Sequence, residues 1–217
     1  MEKLMGCTIS EVTLPDYSEI AKLAEGACPV NWALRCVKQA QLENCGMSVM
    51  CRDGVTQLAL VITDIVSGKG KDDDLSLIKE LCQIFSTTAG CEMASKVAKN
   101  VLYSMEHHAD EWEQHCRRKR CAALVCADYY SIYIDPTTCI GCGTCLRLGP
   151  EGSIAGGEGM IHVVLDDGKI KTEEFVRACP SSAIKKAGAV KPNLPAAPIP
   201  VGSFEVEGAR KRRRERG

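Results

Sequence analysis

The sequence predicts an α + α/β chain: a four-helix bundle first, then a small α+β unit, with metal–thiolate chemistry in both. Three observations carry this prediction. Residues 52–114 place apolar side chains at helical period, residues 131–186 switch to short alternating runs broken by glycine, and fourteen cysteines fall largely into ligand-like groups.

A first helix is expected around Asn31 to Glu43. The stripe Val55, Leu58, Ala59, Ile62, Ile65, Val66 predicts a second, closed by Gly68 as a left-handed cap. Asp72 to Asp74 open a third, their charges suiting the positive end of its dipole, with Leu75, Ile78, Leu81, Cys82 and Phe85 inward. A fourth runs from Glu92 to Gln114 on an apolar face that includes Val97, Val101, Met105 and Trp112. Four helices with short connections make a bundle. In the second unit, Ile132 and Ile134 alternate as a strand, Ile161 to Leu165 enter a hairpin turning at Asp166-Asp167-Gly168, and Thr172 to Ala178 form a short helix. Beyond residue 187 the chain is rich in alanine and proline through Pro200 and ends in Arg210-Lys211-Arg212-Arg213-Arg214-Glu215-Arg216, which reads as a flexible or extended peptide that could lie along a partner and order only there. The expected divisions are 1–29, an N-terminal segment; 30–114, the bundle; 115–130, a Cys/His bridge; 131–186, the α+β unit; and 187–217, the tail.

Composition narrows the classes. With 217 residues, 45% hydrophobic, 25% charged and a net charge of −1, the balance is that of an ordinary soluble chain and argues against nucleic acid as a general partner. The longest apolar run, Leu58 to Ile65, is far too short for a bilayer, and Met1 to Ser10 lack the apolar region of a secretory signal. A cytoplasmic location without membrane association is expected. There, fourteen cysteines are metal ligands before they are disulfides, and their oxidation sensitivity suits an anaerobic host.

The sharpest motif is Cys139-Ile140-Gly141-Cys142-Gly143-Thr144-Cys145 with a remote Cys179-Pro180. Three thiolates on one tight loop and a fourth returning from a distant segment suit a single [4Fe–4S] cluster; zinc sites more often pair cysteines two by two. The place where a two-cluster protein carries a further cysteine before proline is Gly149-Pro150 here, so one cluster is expected. The loop amides and burial by Ile140 and Ile184 would tune it. So short a unit cannot hold together by apolar burial alone, and the cluster should staple it. Between the halves, His115, Cys121 and Cys126 offer one imidazole and two thiolates, a candidate zinc site. Its fourth ligand stays open among Cys116, Cys82 and a residue of the N-terminal segment. Cys28 could instead pair with Cys36, Cys7 has no assignment, and His107, His108 and His162 are expected at or near the surface.

Residues 131–186 resemble single-cluster bacterial ferredoxins, including the ending Cys179-Pro180-Ser181-Ser182-Ala183-Ile184. Cys45-Gly46-Met47-Ser48-Val49-Met50-Cys51-Arg52-Asp53-Gly54 resembles the Cys-Gly-x-Cys-x-x-Cys-Arg-x-Gly signature of the iron–sulfur-binding C-terminal region of the NADH-oxidising flavoprotein subunit of complex I and of electron-bifurcating hydrogenases. The resemblance covers roughly residues 30–186, with both halves in the order of the hydrogenase-type subunit, and implies a four-helix-bundle iron–sulfur domain followed by a ferredoxin-like domain. It implies a second cluster on Cys45, Ser48, Cys51 and Cys91. Ser48 stands where the signature has cysteine, which leaves open a cluster with Ser48 oxygen or another group as ligand, one recruiting Cys36 or Cys28, or none. No glycine-rich dinucleotide or flavin loop is recognisable, so neither flavin nor NAD is expected on this chain. The implied role is an iron–sulfur electron-transfer subunit of a cytosolic flavin-dependent, NAD(P)H-linked oxidoreductase, inactive alone and hetero-oligomeric with a flavoprotein and other redox subunits. The alternative is a non-redox, metal-stapled scaffold that tethers such partners.

Overall fold

A computed structural model describes residues 14, 26–88, 91–190 and 192–205. It is a mixed α+β structure that divides into two compact units, Met1–Tyr129 and Tyr130–Gly217. Cys7, the Arg210–Arg216 run and most of 1–29 lie outside the described residues. Among the described residues no helix is long and apolar enough to cross a membrane.

The first unit is helical. Helix α1 (Pro29–Glu43) starts at Cys28, whose sulfur accepts the Asn31 amide at 3.4 Å, with Pro29 supplying the preset φ of a first helical residue. A π-helical turn, Met50–Gly54, leads directly into α2 (Val55–Val66). Gly68 caps α2 at φ +76°, as expected, and the Lys69 amide bonds back to Asp64 O at 2.8 Å. Helix α3 (Asp74–Thr88) packs against α4 (Glu92–His107), while α1 packs on both α2 and α4. The common core holds Val30, Val37, Leu58, Ile62, Ile78, Phe85, Val97 and Val101, all essentially inaccessible.

The single helix expected over Glu92 to Gln114 is instead two, α4 and α5 (Ala109–Cys116), broken at His108 with φ −131° and ψ 40°. No proline or glycine marks the break. It lets Trp112 turn inward, where its indole N–H donates to Ser104 Oγ at 3.1 Å and Ser104 Oγ donates to Pro29 O at 3.2 Å.

In the second unit, β1 (Ser131–Ile134) pairs antiparallel with β5 (Ile184–Ala187) and buries Ile132 and Ile134, as the alternation predicts. Helix α6 (Thr144–Leu148) follows the cysteine loop, and α7 (Glu173–Arg177) is capped by Thr172 Oγ1, which accepts the Phe175 amide at 3.2 Å. The hairpin expected at Asp166-Asp167-Gly168 does not form. Strand β4 (Val163–Val164) pairs backward with β2 (Ile154–Ala155), and β3 (Met160–Ile161) pairs with β6 (Ile199–Pro200). The aspartates act otherwise: Asp166 closes the turn by accepting the Gly168 amide, and Asp167 accepts the amide of Ile132. The 192–205 segment, expected to order only on a partner, packs on its own unit through β6. His162, expected near the surface, is 1% exposed.

Candidate metal centres

Cys28, His115, Cys121 and Cys126 place their ligand atoms within 4.8 Å of one another, and all four residues are buried. Cys28 Sγ lies 3.4 Å from His115 Nε2 and 3.7 Å from Cys126 Sγ, with Cys126 Sγ 3.5 Å from the same nitrogen. Each ligand arrives by a different route. Cys28 is the N-cap of α1 and His115 sits in the last turn of α5, while Cys121 and Cys126 lie on the loop after it, shaped by left-handed Lys119 and Leu124 (φ 50° at each). The Leu124 amide donates to Cys121 O, and the Lys119 ammonium reaches Gly70 O, pinning the loop to the turn after α2.

His115 is aimed by its surroundings. Nδ1 lies 2.7 Å from Glu111 O, one helical turn back, which turns Nε2 toward the thiols. Tyr129 packs edge-on against the imidazole, and its hydroxyl meets His115 O at 3.0 Å and Ile65 O. Burial, the largest single influence on His115, opposes its charge. Hydrogen bonds to Cys121 and Cys28 together outweigh it and raise the imidazole to about 10. Hydrogen bonding between Cys121 and Cys126 depresses the first thiol and raises the second, so one ionises at the other's expense. Buried thiols crowded against an imidazolium are a donor set short of a cation, and three sulfurs with one nitrogen fit a tetrahedral dication. The set excludes Cys116 and Cys82. Cys28, 87 positions from His115, lies in the N-terminal segment that the sequence left open as one source of the fourth ligand; its Cys-Pro start of a helix also allowed the pairing with Cys36.

The second unit carries Cys139, Cys142, Cys145 and Cys179. Gly141 and Gly143 take φ values of +68° and +70°, so the chain turns sharply on either side of Cys142 before entering α6, whose second residue is Cys145. The Cys145 thiol is pushed up to about 11, first by burial and then by the neighbouring charges of Cys139, Cys142 and Cys179, so all four sulfurs share one electrostatic neighbourhood. Cys139 is buried, Cys145 and Cys179 are half-buried, and Cys142 is exposed. Cys142 Sγ donates to Thr144 Oγ1 at 3.4 Å, which also accepts from Arg147, and hydrogen bonding with Thr144 lowers that thiol. Burial opposes ionisation of Cys179, but hydrogen bonds from Ser181 and from the Ala183 amide at 3.3 Å prevail and lower it. Mutual repulsion among thiolates with amide and hydroxyl donors aimed at them suits an iron–sulfur cluster. Ile184 is buried, as expected, but Ile140 is 58% exposed, because the loop turns it away from its unit.

The other expected ligands lie at element ends of the first unit. Cys45 and Ser48 are half-buried in the segment between α1 and the π-turn, Cys51 is buried within that turn, and Cys91 is buried at the N-cap of α4. The π-turn packs against α3 and α4, so Cys51 and Cys91 belong to one core. Arg52 pairs with Asp53 and donates to Gly46 O at 3.4 Å, folding the loop back toward the helix. π-turns of this kind recur at functional sites.

Residues 31–115 match the family described as the NADH-ubiquinone oxidoreductase-F iron–sulfur binding region. The chain is 36% identical over 120 residues to the NADP-reducing hydrogenase subunit HndC of Solidesulfovibrio fructosivorans, covering 55% of this chain and 24% of that protein. It is 26% identical over 97 residues to the F chain of the NADH-quinone oxidoreductase of Streptomyces coelicolor, covering 45% and 22%. A ferredoxin of Moorella thermoacetica is 37% identical over 60 residues, 25% of this chain and 95% of that protein. The chain thus spans about a quarter of the length of the first two relatives and nearly all of the third. One stretch of the chain, residues 31–115, thus matches the iron–sulfur binding region of the NADH-oxidising subunit, and the chain also carries a sequence of the ferredoxin family.

Proposed function

We propose that this chain is an iron–sulfur electron-transfer subunit of an NAD(P)H-linked, flavin-dependent oxidoreductase, relaying single electrons between a flavoprotein and a second redox subunit. In this reading the first unit is a four-helix bundle and the second a ferredoxin-like domain. Cys139, Cys142, Cys145 and Cys179 hold a [4Fe–4S] cluster, which supplies one-electron transfer when bound. A second cluster rests on Cys45, Ser48, Cys51 and Cys91, and zinc on Cys28, His115, Cys121 and Cys126. The observation that carries the proposal is the double match, residues 31–115 to an iron–sulfur binding region and a further 60-residue stretch to nearly the whole of a ferredoxin. The protein would hold the sulfurs; it donates the Ala183 amide to Cys179, pairs Cys142 with Thr144, and leaves the Cys142 corner open to a partner. HndC and its Streptomyces counterpart are both named as parts of larger enzymes, which supports assembly with other chains.

The test is anaerobic purification, iron analysis and electron paramagnetic resonance after dithionite. A reducible cluster signal that disappears in Cys179→Ala supports the relay; material whose iron content and spectrum ignore that substitution refutes it.

One observation favours a second reading. The Cys28–His115–Cys121–Cys126 set is closed, with no ligand position left for substrate, and structural zinc sites have this character. A scaffold subunit stapled by metal would carry zinc and show no reducible iron.

A further inference from the structure

The segment after β5 departs from the sequence expectation, because it pairs with its own unit through β6. We propose that residues 192–201 are a built-in strap that seats the Cys139–Cys145 loop and backs its Gly141 side against water while the Cys142 corner stays open, thereby setting the cluster's potential and lifetime. This rests on reading those four thiols as a [4Fe–4S] site.

Gly159 is the keystone. Its carbonyl accepts the Val201 amide at 3.0 Å, and its amide donates to Gly141 O at 3.2 Å, so one residue joins the strap to the cysteine loop. Beside it the ladder registers Met160 with Pro200 and Ile161 with Ile199. Loop and turn are in close contact: a Cβ on Gly141 would lie 2.9 Å from Gly159 C and 3.0 Å from Met160 N. Strap, turn and loop are therefore three successive backbone layers.

Upstream, the strap crosses a crevice of about 150 Å³ lined by Ile132, His162, Val164, Pro192, Leu194 and Pro195. Ile161 and Ile170 are buried in the same unit, and burial lowers the His162 imidazole, which marks a dry interior. Pro192, Pro195, Pro198 and Pro200 preset an extended course, so laying the strap down costs little chain entropy.

The consequence is electrostatic. Reduction adds a negative charge to a cluster already ringed by thiolates, and water stabilises the more highly charged state, so exclusion of water lowers the potential. Loss of the strap raises it and opens the cluster to oxygen.

The experiment compares the full chain, Val201→Pro and a chain ending at residue 190, each prepared anaerobically with iron and sulfide. Val201→Pro removes only the amide that Gly159 accepts, which keeps the test alive if the shortened chain does not fold. Cys179→Ala identifies the signal of this cluster. The expected result is a less negative midpoint in potentiometric titration and a several-fold faster loss of cluster absorbance in air for both strap variants, with helical circular dichroism retained. Wild-type midpoint and lifetime in the variants would overturn the strap while leaving the cluster. A full chain whose spectrum ignores Cys179→Ala would overturn the cluster, and the strap with it.

Discussion

His115 shows how one side chain governs a site. Without metal its pKa stands near 10, above the ordinary value of 6.5, so at neutral pH the imidazole is charged and Nε2 carries a proton. A dication must displace that proton along with those of un-ionised thiols, so affinity rises with pH. Calorimetry of zinc binding at about pH 7, in buffers of different ionisation enthalpy, should report net proton release; a buffer-independent heat would contradict this. Cys28→Ala removes a ligand seated on α1, and zinc should then dissociate far more readily, as read by competition with a chromogenic chelator. His115, Cys121 and Cys126 are legible as a candidate set because they sit within one stretch of sequence. Cys28 is legible only as one residue of an N-terminal segment left open for the fourth position, because its place depends on which helices pack together, a matter of tertiary contact rather than spacing.

At the scale of elements, periodicity found the faces of α2 to α4 because burial imposes it, and missed two departures that packing creates. The π-turn before α2 is one. Gly54 lies under Phe85, and a Cβ there would come within 2.5 Å of the ring. Gly54→Ala should therefore destabilise the helical unit by about 1–3 kcal/mol, the usual cost of overpacking. Phe85→Leu should recover part of that loss in the double variant, and denaturant titration of the four proteins decides it. The break at His108 is the other, invisible because no helix-breaking residue marks it. The strands of the second unit fared less well. A two-residue strand carries almost no periodic signal, and the apolar run from Ile161 to Leu165 gives no hint that β3 and β4 pair in different ladders.

At the scale of the molecule, the two units depend on metal differently. Each ladder of the second unit is two-stranded, and isolated two-stranded pairs are marginal in water. The helical unit has a continuous apolar core. Iron removal should therefore loosen residues 130–190 while α1 to α4 keep their amide protection; hydrogen exchange measured before and after anaerobic chelation tests this, and equal protection in both states would count against the cluster as staple. The cysteine loop was readable in sequence because its ligand spacing is local, whereas the course of 192–201 was not, since proline-rich composition specifies extension but not what the chain lies upon. The break at His108 also reaches the buried Cys/His site. By swinging Trp112 onto Ser104, and Ser104 onto Pro29, it ties the residue after Cys28 to a residue three before His115. Cys28 and His115 are thus held in place by a neutral truss, so the zinc capture proposed for this set need not await refolding.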